Sequence, residues 1–167
     1  MNESHQKELI INKDAFEAIQ NLRVKNYNKI IVGNININSL PNKFEQLKLL
    51  VKNKVDILII TETKLDKTFP ESQFIMEGYK KPYRKDRDLN GGGILIYVRE
   101  DIPSKELDKH TFADDIEGMF VEINLRKTKW LLFGTYHPPS QVDDYYFKCV
   151  ENALDLYNGS YSNFLLT

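Results

Sequence analysis

Cysteine is almost absent from this sequence. Cys149 is the only one among 167 residues, so an internal disulfide and a cysteine-based zinc site are both excluded. A single thiol is compatible with a reducing compartment, and we expect Cys149 to be a buried structural residue.

Long apolar runs are also missing. No segment approaches the roughly 20 apolar residues that a membrane span requires. The opening residues, MNESHQKELIINKD, are polar and mixed in charge, unlike a secretory signal. We therefore expect an intracellular protein of the nucleus or cytoplasm that is not secreted and has no membrane partner.

The chain has no excess of charge of either sign. It contains 23 Lys and Arg against 24 Asp and Glu, so it lacks the strong basic excess of many nucleic-acid-binding proteins, which neither supports nor excludes such a partner. One local stretch, KKPYRKDRD, is basic and contains interleaved tyrosine. Lys81, Arg84 and Arg87 are its candidate phosphate contacts, although a solvated loop explains the stretch equally well.

The pattern of apolar residues predicts one α/β domain at 29–167, preceded by an extension at 1–28 that carries a short helix at 14–26. We expect helices at 40–51, capped by Ser39, and at 142–157, with a long irregular segment at 64–90. The two strands on either side of residues 126–129 should form an antiparallel hairpin. The predicted strands are 29–37, 55–61, 94–98, 118–125, 130–137 and a last one beginning at 163.

Two features of this pattern need an explanation. Gly91, Gly92 and Gly93 precede a strand, and no Lys-Ser or Lys-Thr pair follows them, so a tight turn or close backbone packing accounts for them better than a phosphate loop. The chain also stops inside an apolar strand, NFLLT, which would leave a sheet position unfinished. The sequence is therefore expected to be truncated at its C-terminal end.

Polar residues follow several of the predicted strands. Glu62 comes directly after the apolar run VDILIIT, Asn36 and Asn38 follow the preceding strand, and Tyr136 and His137 end a later one. Strand ends of layered α/β folds are common positions for functional sites. From its position alone, Glu62 is either a surface loop residue or a ligand.

Five segments in order carry a resemblance to a known family: NINSLPNKFEQL, VDILIITETKLD, YRKDRDLNGGGILIYV, IEGMFVEI and GTYHPPS. Together they resemble the endonuclease/exonuclease/phosphatase superfamily. Within it, they are similar to the apurinic-type endonuclease domain of non-LTR (LINE-type) retrotransposons. The resemblance implies a four-layer αββα sandwich (DNase I-like), represented here by its N-terminal part, that nicks DNA. It also implies a reverse transcriptase domain in the same full-length polyprotein.

The resemblance assigns roles to individual residues. Glu62 would be a direct ligand of Mg²⁺ (or Mn²⁺), and Asn36 would help to hold the metal and the scissile phosphate. Tyr136 would donate a hydrogen bond to a phosphate oxygen. Asn38 and Lys64 would orient the Glu62 side chain without being metal ligands themselves. Asn36 and Asn38 could instead form a strand-end turn, and Tyr136 could be a core aromatic residue. His137 replaces the Arg that is frequent in the family and is expected to be a loop residue.

The resemblance stops before the family's Gly-Asp-x-Asn and Asp-His motifs, which this sequence does not contain. In the family these motifs position the attacking water, so this chain alone is expected to have little or no nuclease activity. Two alternatives remain open. One is a phosphatase of lipid or inositol phosphates from the same superfamily, and the other is an inactive remnant that binds nucleic acid.

Overall fold

The computed structural model describes residues 13–107, 116–138 and 141–167. These residues form three α-helices, a short 3₁₀ helix at Glu71–Phe74 and eight strands. The helices are α1 (Lys13–Lys25), α2 (Phe44–Val51) and α3 (Asp143–Asp155). The strands are β1 (Val32–Asn36), β2 (Ile57–Thr61), β3 (Tyr83–Lys85), β4 (Ile94–Val98), β5 (Ser104–Glu106), β6 (Glu117–Leu125), β7 (Thr128–Tyr136) and β8 (Phe164–Leu166).

The strands are divided between two four-stranded sheets. The first has the order β1-β2-β4-β3, in which only the β1–β2 pair is parallel. The second has the order β5-β6-β7-β8, in which only the β7–β8 pair is parallel. The helix α2 connects β1 to β2, as a parallel pair requires a crossover.

Apolar side chains point alternately to the two faces of the strands. They form three apolar layers, which separate four layers of helices and sheets. In β2, Leu58 and Ile60 face α2, while Ile57 and Ile59 face the second sheet. In β6, Met119 and Val121 meet the first sheet. On its other face the second sheet is covered by α3, against which the two stacked rings of Phe120 and Phe133 pack. The result is an αββα sandwich, which confirms the fold class expected from the sequence.

Several predicted boundaries differ from the observed ones. Ser39 does not cap a helix, because α2 begins only at Phe44, after a turn at 40–43. The hairpin turn is limited to Arg126 and Lys127, whose positive φ values of 51° and 68° fit the two-residue turn that matches strand twist. The strands β3 and β5 were not predicted, since three-residue strands carry too little pattern. Cys149 is only partly buried.

A buried carboxylate ties α1 to the first sheet. Asp56 is 1% exposed and accepts hydrogen bonds from Arg23 of α1 at 2.5 Å, from the Ile31 N–H at 2.7 Å and from Arg99. Arg23 also donates to the Lys54 and Lys29 carbonyls at 2.9 and 3.1 Å. The N-terminal helix therefore docks through a charge network at the edge opposite to the ends of β1 and β2. Within the described ranges, none of the helices combines the length and the apolar composition of a membrane span.

We expect Asp56→Asn to lower the free energy of unfolding by about 3 kcal/mol, because it leaves Arg23 and Arg99 without their shared buried counter-charge. Asp101→Asn is the matched control, since Asp101 also binds Arg99 but is 65% exposed. It should cost less than about 1 kcal/mol. Urea denaturation of both variants measures the difference, and equal effects would contradict the structural role of Asp56.

Candidate active site

One edge of the sandwich gathers the functional candidates from both sheets. The C-terminal ends of β1, β2 and β3 and the beginning of β4 meet there, because β4 runs antiparallel to β2 and β3. The second sheet contributes the beginning of β6 and the end of β7, where Glu117 pairs with Tyr136 in register. The N–H of Gly93 donates to Glu117 Oε2 at 2.7 Å, which joins the two sheets at this edge.

The turns after β1 and β2 have a strained backbone. Asn38, Ser39, Glu62 and Lys64 have positive φ values of 44°, 81°, 56° and 52°. Residues other than glycine adopt this region at a cost and mainly where the surroundings impose it. Here the two turns impose it on each other, since the Ser39 N–H donates to the Glu62 carbonyl at 2.8 Å.

A lysine that sequence analysis did not single out supports the first of these turns. Lys43 Nζ donates to the carbonyls of Ile37 and Asn38 at 2.6 and 2.7 Å. The Asn36 side chain contributes as well, because its Oδ1 accepts the Asn38 N–H at 3.2 Å. The turn is therefore closed from both sides, with the exposed Asn36 amide at its start.

The side chains of Glu62 and Tyr136 bridge the two sheets. The hydrogen bond to Glu62 is the main cause that raises the pKa of Tyr136 to about 12, followed by burial and by the charges of Glu62 and Glu117. Both side chains are only partly buried. The structure thus brings the predicted metal ligand and the predicted phosphate donor into direct contact at a solvent-accessible edge.

The three glycines before β4 allow the backbone to pass close to the side chains of the site. Gly92 has φ +72°, and a Cβ added there would lie within 2.6 Å of both Glu117 carboxylate oxygens and of Arg87 Cδ. Gly93 has φ +88° and faces Thr63 in the same way. The expectation of a tight turn with close packing is confirmed.

Glu117 is a second carboxylate at the site, and sequence analysis did not single it out. It is 7% exposed, and its Oε1 accepts a hydrogen bond from Arg87 Nη1 at 2.6 Å while Oε2 accepts the Gly93 N–H. A Glu at the start of an apolar strand and opposite a predicted site tyrosine was the available signal. Its importance depends on the hairpin register, which the sequence did not define closely enough.

The remaining predicted residues are placed as follows. Asn36 pairs with Thr61 in register, so Asn36 and Glu62 lie at the ends of neighbouring strands. The Lys64 N–H donates to the Gly92 carbonyl at 3.0 Å, which holds the Glu62 turn against the glycines. The orienting roles of the Asn38 and Lys64 side chains stay predictions.

The three basic candidates occupy different environments. Arg84 is 9% exposed and donates to the carbonyls of Phe69 and Asp66 at 2.9 and 2.7 Å and to Asp86, so it clamps the preceding loop. Lys81 forms an exposed ion pair with Glu71. Arg87 is 48% exposed beside Glu117 and is the one of the three that the structure brings to the Glu62 edge. Nucleic-acid binding by these residues stays a prediction.

His137 packs on α3 rather than on the Glu62 pair. Its ring lies 4.2 Å from that of Tyr146, and its Nε2 is 3.5 Å from Asp143 Oδ1. Tyr146 in turn shares a 2.7 Å hydrogen bond with Thr135, whose hydroxyl also donates to the Glu117 carbonyl at 2.8 Å. His137 thus belongs to the loop that connects β7 to α3. The second proline of the Tyr-x-Pro-Pro element, Pro139, lies outside the described residues.

The donor set at this edge suits a hydrated magnesium ion. Glu62 Oε2 lies 3.7 Å from where a Cβ of Gly91 would stand, so the absence of a side chain there leaves space beside the carboxylate. The described part of the chain contains no group of three His, Cys, Asp or Glu side chains that could enclose a metal. Mg²⁺ keeps several waters and needs only one or two carboxylates, whereas zinc requires three or four protein ligands. Glu62, with the Asn36 amide nearby, fits the former.

Solved structures of nucleases and phosphatases share this architecture. The chain is similar to the 3′ phosphatase NExo from Neisseria bound to product DNA hairpin (TM-score 0.58, 19% identity, 83% of this chain and 56% of that one). It is also similar to the endonuclease domain of TRAS1, a telomere-specific non-LTR retrotransposon (TM-score 0.59, 14% identity, 83% and 57%). A third is the AP endonuclease LMAP from Leishmania major (TM-score 0.55, 14% identity, 77% and 46%).

These similarities confirm the fold that the sequence resemblance implied. The chain has the DNase I-like fold of endonuclease/exonuclease/phosphatase proteins and spans about half the length of these three structures. No family model and no curated protein matches the sequence.

We expect Gly92→Ala to lower the free energy of unfolding by about 3 kcal/mol, through the positive φ and the collision of Cβ with Glu117 and Arg87. Gly78→Ala is the matched control, because Gly78 has φ +85° but nothing within 4 Å of an added Cβ. It should cost only about 1 kcal/mol. If the two variants lost similar stability in thermal or urea denaturation, backbone strain alone would explain why glycine is needed at position 92.

The contact between Tyr136 and Glu62 can be tested by alkaline titration. The ultraviolet difference between the wild-type chain and Tyr136→Phe should report a phenol that ionises with a pKa of about 12. In a Glu62→Gln background the same difference should move towards the ordinary value of about 10, since the repelling charge is gone. Protonated Tyr136 stabilises the folded state. This contribution is complete when the pH is below the pKa of Tyr136 in the unfolded chain, and it is lost as the pH rises through about 12. Equal midpoints in the two backgrounds would exclude the contact.

Proposed function

We propose that this edge is the metal- and phosphate-binding part of a magnesium-dependent DNA endonuclease site, as in an endonuclease domain that nicks DNA for retrotransposition. The observation that carries the proposal is the bridge between Glu62 and Tyr136, formed where the strand ends of both sheets meet in a nuclease-like fold. The similarity to the endonuclease domain of TRAS1, a non-LTR retrotransposon, supports the retrotransposon context. The sequence resemblance extends the proposal to a reverse transcriptase domain as a partner in the full-length protein.

In this proposal each residue has a distinct task. Glu62 and the Asn36 amide hold Mg²⁺, which when bound withdraws charge from the scissile phosphate. Tyr136 is protonated at physiological pH, and because its pKa is raised to about 12 it also keeps its proton at alkaline pH, so it remains a hydrogen-bond donor for a phosphate oxygen. Arg87 adds a positive charge at the same edge, where the anionic DNA backbone would approach.

Binding of Mn²⁺, followed by electron paramagnetic resonance, tests the metal site without requiring catalysis. We expect Glu62→Gln to weaken binding at least about 10-fold, because the neutral amide is a poorer ligand for a hard cation. Glu77→Gln is the control, since Glu77 is 86% exposed and pairs with Lys52 away from the site. Unchanged affinity in Glu62→Gln would contradict the proposal.

Plasmid nicking with Mg²⁺ tests the activity itself. We expect the 167-residue chain to nick supercoiled DNA very slowly or not at all, since the motifs that position the attacking water are missing from the sequence. Robust nicking that is lost in Glu62→Ala would overturn that expectation and support Glu62 as a ligand. Robust nicking that persists in Glu62→Ala would contradict the proposed site.

A further inference from the structure

Arg87 stands among three carboxylates but is hydrogen-bonded to only one of them. Its Nη1 donates to Glu117 Oε1 at 2.6 Å, while its Nε lies 3.9 Å from Asp88 Oδ2. The hydrogen bond to Glu117 is also the main cause that raises the pKa of Arg87, and the charges of Asp88 and Glu62 raise it further. Glu62 is thus an electrostatic competitor for the same guanidinium.

Adjacent glycines leave Arg87 and Glu62 without a barrier between them. The space over Gly92 is filled by Arg87 Cδ and the Glu117 carboxylate, and the space over Gly91 is next to Glu62 Oε2. The Arg87 side chain is 48% exposed, so packing does not lock it. The charge of Glu62 already acts on Arg87 and raises its pKa.

Glu117, in contrast, is held in place. It is 7% exposed, begins the nine-residue strand β6 and receives the Gly93 N–H on the oxygen that Arg87 does not use. Both Glu117 oxygens already accept hydrogen bonds, so this carboxylate is less available to a divalent cation than the Glu62 carboxylate, which has space beside it. A fixed, buried carboxylate of this kind is suited to holding a mobile cationic side chain.

We propose that Glu117 is a positioning residue that holds Arg87 away from Glu62 and so keeps the Glu62 carboxylate available to a divalent cation. The inference rests on the proposed function, in which Glu62 is the metal ligand. Without the charge of Glu117, Arg87 pairs with Glu62 and competes with the metal, because a guanidinium binds a carboxylate strongly and in a directed geometry.

A double-substitution experiment separates this role from a purely structural one. The affinity for Mn²⁺ is measured in the wild type, Glu117→Gln, Arg87→Met and the double variant. Gln keeps the size of Glu117 and an acceptor for the Gly93 N–H. We expect Glu117→Gln to weaken Mn²⁺ binding about 10-fold, as the loss of an outer-shell partner typically does. The double variant should regain wild-type affinity, because no cation is left to compete.

Urea midpoints of all variants report folding. Should Glu117→Gln fail to fold, Glu117→Asp, which withdraws the carboxylate by one methylene, should weaken binding less and should also be rescued by Arg87→Met.

The outcomes are distinguishable. Wild-type affinity in Glu117→Gln, or weak binding that Arg87→Met does not rescue, would overturn the positioning role and leave Glu62 as the ligand. If the Glu62→Gln variant bound Mn²⁺ as tightly as the wild type, both the positioning role and the proposed function would be overturned.

Discussion

The site depends on the face-to-face packing of the two sheets. Its residues come from both sheets, so neither sheet alone contains it: Glu62 belongs to the first, and Tyr136 and Glu117 belong to the second. Gly134 marks how closely the sheets approach, because a Cβ there would lie 3.0 Å from Ile96 and 3.3 Å from Ile59. The apolar contact between the sheets makes this part of the structure rigid. That rigidity keeps the polar side chains at the edge in fixed positions relative to one another. A site built on strands of a packed core holds its geometry better than one built on loops alone.

Alternation and apolar density predicted most of the helices and strands, whereas the four-layer architecture was predicted from the family resemblance. The strand at 94–98 was predicted with its observed bounds, and the alternating residues Met119, Val121 and Ile123 of β6 form one apolar face, which packs against the first sheet. The long segment at 64–90 was harder to interpret, because its order comes from side-chain clamps. Arg84 fastens it to Phe69 and Asp66, and Tyr97 donates to the Phe74 carbonyl at 2.6 Å. Such contacts join residues that are distant in sequence and leave no local period.

The candidate site was predicted only in part for a related reason. Polar residues after strands pointed to Asn36, Glu62 and Tyr136, since strand ends are visible in the sequence. Lys43 and Glu117 were missed, because each acts on backbone groups of another segment: Lys43 on the Ile37 and Asn38 carbonyls, Glu117 on the Gly93 N–H. Lys43 carried no local signal of this role, and the signal of Glu117 depended on the register of the hairpin. The glycines were the exception, because their need for positive φ restricts the residue type directly.

The basic stretch shows why a local charge count is a weak guide to binding. Arg84 holds a loop in place, Lys81 forms an ion pair at the surface, and Arg87, which is hydrogen-bonded to Glu117, is the one of the three that lies at the site edge. The surroundings also distinguish the two glutamates at this edge, Glu62 and Glu117. Both are Glu beside a Tyr136 phenol, yet one has its oxygens occupied by Gly93 and Arg87 while the other lies next to open space over Gly91. The difference between these two carboxylates is therefore set by their neighbours, because Glu117 has a hydrogen-bond donor on each oxygen whereas Glu62 has space beside it.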